Sequence, residues 1–154
     1  MPVLSAGARI VAEDSVCISY REGFAVWGCA REIGLRADAL SLFADLAGRE
    51  ATPQPNGKTK LIVPVPPEKQ AYPKHTGTVD LVLLEGAPGM HRLDPDVVRQ
   101  RLLNGRESGF DLATDYADAV NVLLSHARTW SLGRLESIEE MVEVMIARIK
   151  AESA

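Results

Sequence analysis

Cysteine, aromatic residues and long apolar runs are all scarce in this sequence, and each scarcity removes a class of protein. Cys17 and Cys29 are the only two cysteines in 154 residues, too few for a disulfide framework or a cysteine metal site. Both fall in apolar, strand-like runs and are expected to be buried free thiols. The longest apolar run, residues 79–84, is interrupted by Asp80 and is far shorter than the roughly 20 residues of a spanning helix, so no membrane segment is expected. Basic charge is not in excess either: 17 Lys and Arg against 21 Asp and Glu leave a net charge of −4. The basic residues are dispersed, without a stripe interleaved with aromatics, which argues against a nucleic-acid partner. The first ten residues lack the basic region and apolar core of a secretory signal, so a cytoplasmic location is expected. His75, His91 and His126 have no metal-ligand spacing, and no glycine-flanked serine marks a nucleophile elbow.

What is present is enough apolar content, 46%, to bury the core of a single domain over residues 1–154. Strand patterns are expected at residues 9–12, 15–20, 24–29 and 32–35, with Arg21-Glu22-Gly23 as a hairpin connection. Residues 4–7 read as the end of a helix closed by glycine. An amphipathic helix is expected over residues 37–47 and, after it, a surface loop over 52–57 with two prolines and a glycine. Residues 61–65 form a strand, 64–78 an extended proline-rich connection, and 79–85 the strand expected at the sheet centre. Residues 86–89 turn the chain into 90–93. Asp94 as N-cap, Pro95 at the first position, Leu93 placed to staple Val98 and Asn104-Gly105 as the stop then define a helix. A further helix over 111–127, a strand over 128–132 and a last helix with Ser137 and Glu140 as capping box complete the chain. Ile138, Met141 or Val142, Met145 and Ile149 form the apolar face of that last helix, and Arg148 and Lys150 suit its C-terminal dipole. The fold class is α/β: a mixed β-sheet with a β-rich N-terminal half and helices packed in the C-terminal half.

Two constellations could carry chemistry. Glu13 and Asp14 stand side by side where an apolar strand ends, the position at which α/β proteins bind ligands and acids can hold a cation against phosphate; the plain alternative is a polar connection between Val11 and Val16. Asn56-Gly57-Lys58-Thr59 looks like the tail of GxxxxGK[ST], but the first position is Thr52, and the order helix, loop, strand is the reverse of a phosphate-binding loop. Lys58 and Lys60 alternate along a strand and so point to one side, where they could neutralise phosphate. The alternative is a pair of solvated lysines on an outer strand.

The succession GARIVAEDSVCI, VWGCAREIGLRADALSLF, NGKTKLIVPVP and VDLVLLEGAPGMHRLDPDVVRQRLL, spanning residues 7–103, resembles the C-terminal portion of the HPr kinase/phosphorylase-related family. The resemblance implies an incomplete phosphoenolpyruvate-carboxykinase-like kinase core. In that family a Walker A loop and helix come first, and the next strand ends in two acids that position Mg²⁺ beside the nucleotide. By resemblance, Asp14 would be the metal-side carboxylate and Glu13 its partner and base toward a seryl hydroxyl. Lys58 and Lys60 would lie near the phosphates, with ATP and Mg²⁺ as cofactors and a protein serine as acceptor. This chain departs from the family in having no GxxxxGK[ST] loop and Glu13 where aspartate is usual. The expectation is an HPr-serine-kinase-like protein, a fragment or degenerate relative of an ATP- and Mg²⁺-dependent kinase. The alternative is a non-catalytic protein-interaction module on a kinase-like scaffold, with a partner protein or its own copies as a homo-oligomer. A third reading, an unrelated α/β enzyme using Glu13 and Asp14 as an acid and base pair, has no nucleophile or metal cluster beside it.

Overall fold

The computed structural model of the chain describes residues 7–12, 16–28, 30–36, 38, 46, 48–54, 57–71, 74–105 and 115–153. Strands lie mostly toward the N-terminus and helices toward the C-terminus, so the expected mixed α/β content is present, as three small sheets and three α-helices among the described residues. The chain divides into two compact units, residues 3–17 with 27–75 and residues 18–26 with 76–154. Two short strands, β1 (Cys17–Ser19) and β2 (Ala25–Trp27), are joined through a bridge between Arg21 and Gly23. Cys17 is a free, exposed thiol rather than a buried one, because it opens a strand at the edge of its sheet. Cys29, the helix expected over 37–47 apart from Asp38 and Leu46, and most of the helix end expected at 4–7 lie outside the described residues.

The first unit is built on β3 (Glu32–Arg36), β4 (Thr52–Pro53) and β5 (Thr59–Pro64), all antiparallel, with β5 in the middle. The register sets Ile33 against Val63 and Leu35 against Leu61, so the odd-numbered residues of β3 and β5 share one face. That face is the inner one: Ile33 and Leu61 are buried, and Val65 just past the strand is buried too. Full burial of Leu61 alone stabilises by roughly 1.5–3 kcal/mol. Thr52 and Pro53, expected in a loop, instead pair with Lys60 and Thr59; an edge strand tolerates a proline because one row of its backbone groups has no partner to serve. The strand expected over 9–12 reduces to one bridge, in which Ile10 donates to Lys69 O and accepts from Ala71 N, both at 2.8 Å. The stretch 64–78 is not uniformly extended. It holds a 3-10 turn at Pro67–Lys69 and a two-residue strand, β6 (Lys74–His75), whose Lys74 Nζ sits 4.7 Å above the Trp27 ring.

In the second unit, β7 (Val79–Arg92) pairs with β8 (Ala127–Gly133) twice. Over residues 79–83 the numbers rise together, Val79 with Ala127 up to Leu83 with Ser131, a parallel ladder. Past the turn at 86–89 they run oppositely, Met90 with Leu132, His91 with Ser131 and Arg92 with Trp130, and Leu93 N continues to Thr129 O at 3.0 Å. β8 is therefore flanked by both arms of β7, and it is β8, not residues 79–85, that occupies the centre. Counting apolar residues could not show this, since β8 carries Arg128, Thr129 and Ser131 and is interior because of its two partners. Gly86 and Gly89, at φ of 96° and 93°, provide the left-handed conformations of the crossing. It passes directly over Gly133, where a Cβ atom would lie 1.9 Å from Ala87 O.

Three helices cover this sheet. α1 (Pro95–Asn104) starts as expected, with Asp94 Oδ1 accepting from Asp96 N at 2.8 Å, and buries Val98. α2 (Tyr116–Ser125) ends two residues before the expected 127, while residues 111–114 of that expected helix lie outside the described residues; it buries Val120 and Leu123 and is tied to α1 by Tyr116 Oη donating to Leu102 O at 3.0 Å. α3 (Ile138–Ala151) is capped by Ser137 Oγ, which accepts from Glu140 N at 3.1 Å. Glu140 Oε2 reaches back to Glu136 N at 3.0 Å, one residue before the position a capping box implies. Its Met141, Val144, Met145 and Ile149 pack on the buried cluster of Met90, Trp130 and Leu132, while Ile138, placed on that face by spacing, is 39% exposed in the first turn.

Candidate functional site: a cationic sheet face

The hairpin from β4 to β5 turns within residues 54–58, where Gln54 N donates to Lys58 O at 2.7 Å and Gly57 N to Gln54 O at 2.9 Å. Strand follows this turn directly, so the Gly57-Lys58-Thr59 segment opens a β-strand rather than a helix, as the reversed order of elements in the sequence implies. Lys60 falls in the central strand, with Arg36 as its partner on one side and Thr52 on the other. Lys58, two residues earlier, lies just before the strand. β5 is the central strand of this sheet and not an outer one.

The register adds a residue that sequence reading missed. Arg36 is directly across from Lys60, so its side chain leaves the same outer face, opposite to buried Ile33 and Leu61. Like charges set directly opposite each other in a sheet repel. Arg36 Nε contacts Asp38 Oδ1 at 3.4 Å, and both side chains are well exposed, so that ion pair is a weak one. Glu32, on the same face, is four residues along the strand, roughly 13 Å away and beyond the screening length of about 10 Å. One end of this face thus carries Arg36 and Lys60, with Lys58 just ahead of β5. Glu13 and Asp14, the acids expected to hold Mg²⁺, lie outside the described residues.

The densest polar cluster of the second unit has a structural task. Asp80 accepts Arg128 Nε at 2.8 Å and Nη2 at 2.7 Å in a bidentate pair, and Trp130 Nε1 donates to the same carboxylate at 2.7 Å. Arg128 also donates to Glu152 O at 2.6 Å and Ser153 Oγ at 3.0 Å, fastening the end of α3 to the sheet. The hydrogen bonds to Asp80 raise the Arg128 guanidinium above its ordinary pKa, against the opposing effect of burial and with the added attraction of Asp80 and Glu152. Arg92 lies 3.9 Å and Arg148 5.6 Å over the Trp130 ring, and Arg92 pairs with Glu152 at 2.6 Å. With its donors engaged this way, the cluster reads as a lock between strands and helix.

Two open grooves lie elsewhere in the second unit. One, of about 430 Å³, is lined by Ile18, Tyr20 and Tyr116 and crossed by the exposed Arg21–Asp115 pair; the other, of about 390 Å³, follows Val97 and Gln100 on α1. The histidines have ordinary polar roles where contacts are described: His91 Nε2 is 2.9 Å from Pro88 O in the crossing, and His126 stacks on Phe24 at 4.3 Å. Among the described residues no group of three or more His, Cys, Asp or Glu could hold a metal ion. No helix among them is long and apolar enough to cross a membrane. No family model matches the chain, and no match is found among curated proteins or among solved structures.

Proposed function

We propose that the chain is an HPr-serine-kinase-like module on a phosphoenolpyruvate-carboxykinase-like core, a relative of ATP- and Mg²⁺-dependent kinases that lacks the GxxxxGK[ST] loop. The observation that supports this reading is Lys60 in the central strand β5 with Lys58 just ahead of it, on the segment that resembles the family's phosphate side. The donor types fit the group: a carboxylate such as Asp14 suits Mg²⁺, which prefers hard oxygen ligands, and ammonium groups suit phosphate oxygens. In this reading Asp14 holds the metal, Glu13 takes the proton of a seryl hydroxyl, and Lys58 and Lys60 offset phosphate charge. Mg²⁺, when bound, supplies charge neutralisation across the phosphates. Calorimetric titration with Mg²⁺-ATP tests it. Heat of binding in the wild type that is lost in Asp14→Asn is expected, and a wild type that gives no binding heat removes the reading.

A second reading, a non-catalytic interaction module that assembles with its own copies, has its own support. Leu84 is 76% exposed where β7 leaves the parallel ladder, and Val97 is 41% exposed along α1. Exposed apolar side chains of this size mark contact surfaces when they cluster. Light scattering after size exclusion should report an oligomer that Leu84→Ser dissociates; a wild-type monomer at tens of micromolar, or an oligomer indifferent to the substitution, counts against it.

A further inference from the structure

The groove beside the start of α2 brings apolar surface and a pair of opposite charges together within the second unit, apart from the cationic sheet face of the first. We infer that it binds a free α-amino acid with an aromatic side chain, Arg21 taking the α-carboxylate and Asp115 the α-ammonium. Ile18, Tyr20, Tyr116 and Ala119 line the groove, and its volume of about 430 Å³ falls within the range of small-molecule sites. Tyr rings and aliphatic side chains suit an aromatic group laid against them. Tyr116 is already held in place, since its Oη donates to Leu102 O at 3.0 Å, so less freedom is lost when a ligand packs on its ring.

The charged pair is built differently from the structural one in the same unit. Arg128 grips Asp80 through two nitrogens and both carboxylate oxygens, whereas among the described residues Arg21 touches Asp115 only through Nη2 to Oδ2, at 2.6 Å. The rest of the guanidinium fork and Asp115 Oδ1 are left for a ligand, and the two side chains are 79% and 51% exposed. Asp115 also stands at the N-cap of α2 without a side-chain cap bond, so its carboxylate is not committed to the helix. An amino-acid zwitterion carries its carboxylate and ammonium on a single carbon, and both therefore meet two groups that already lie side by side. A lone acid would be repelled by Asp115, and a lone amine by Arg21. The ends of a polypeptide carry one of these charges each, which makes the free amino acid the matching ligand.

The test is titration of the full chain at low salt with L-phenylalanine, 3-phenylpropionate and phenethylamine, followed by amide NMR, for the wild type, Arg21→Gln and Asp115→Asn. Both variants alter only an exposed ion pair of little weight in stability, so both should fold as the wild type does. Phenylalanine should bind in the millimolar range, about fivefold more tightly than either singly charged relative, the size of one exposed charged contact. Arg21→Gln should lose the preference over phenethylamine and Asp115→Asn the preference over 3-phenylpropionate, a split that a merely structural pair would not produce. The shifted amides should lie in residues 18–21 and 115–119. No binding of phenylalanine by the wild type, or shifts confined to other parts of the chain, would remove the site. Equal affinity of the wild type for phenylalanine and 3-phenylpropionate would overturn the role of Asp115, and equal affinity for phenylalanine and phenethylamine that of Arg21. Preferences that survive in both variants would overturn the assignment of the charged pair.

Discussion

Gly133→Ala is the sharpest probe of how the second unit is threaded. At Gly133 an added Cβ would stand 1.9 Å from Ala87 O, 2.4 Å from Ala87 C and 2.7 Å from Gly86 O, all backbone atoms that no side-chain rotation can move away. The crossing from one arm of β7 to the other must therefore lift by more than an ångström. Overpacking of a close-packed site costs about 1–3 kcal/mol. The lift also strains the return arm, where Leu93 N donates to Thr129 O at 3.0 Å and Thr129 Oγ1 to Leu93 O at 2.5 Å, contacts each contributing about 0.5–1.5 kcal/mol. Together these give a loss of about 2–6 kcal/mol, a large part of the 5–15 kcal/mol typical of a folded domain. For a unit of this size the melting temperature should drop by about 8 °C or more. The assay is thermal unfolding followed by Trp130 fluorescence in a Trp27→Phe background, which leaves Trp130 as the only tryptophan. Gly86→Ala is the internal control: its φ of 96° penalises any side chain by about 1–2 kcal/mol, but its nearest neighbour, Ser131, stands 3.6 Å away. If Gly133→Ala melts within a degree or two of wild type, or is the milder of the two, the crossing over β8 is wrong.

Asp80→Asn should lower the melting temperature by the same amount at pH 7 and pH 10. Hydrogen bonds from Arg128 to Asp80 raise the Arg128 pKa, so the stability they provide is fully present below the unfolded value and is lost only as pH rises through the still higher folded one; a smaller drop at pH 10 than at pH 7 would contradict this. Ser137→Ala removes the acceptor for Glu140 N at the start of α3 and should cost about 1 kcal/mol in urea unfolding, with an unchanged midpoint refuting the cap.

The parts of this fold that were legible in the sequence are those decided within one turn or one hairpin. Asp94, Pro95 and Gly105 bound α1 because capping depends on the chemistry of a few consecutive residues. Ser137 opens α3 for the same reason, and its apolar spacing selects the residues that meet Trp130. What was not legible depends on partners distant in sequence. Cys17 lies in an apolar run, yet it is exposed because β1 is an edge strand. Thr52-Pro53 has loop composition, yet it pairs because β5 offers it an open edge. β8, with three polar or charged residues, Arg128, Thr129 and Ser131, reads as less central than residues 79–85, and its burial follows only once both arms of β7 are seen to embrace it.

The candidate site divides along the same line. Alternation along one strand is a local rule, so Lys60 could be read as a strand residue from its own neighbours, and it falls in β5. Arg36 could not, because nothing in its own neighbourhood distinguishes it from other exposed arginines. Its relation to Lys60 exists only through the register of β3 on β5. That register is itself fixed by burial. A slip of one residue would turn Leu61 and Ile33 out to water and carry the cations to the inner face. The hydrophobic face therefore specifies the geometry of the cationic one: the pairing that hides Leu61 is the pairing that sets Arg36 across from Lys60.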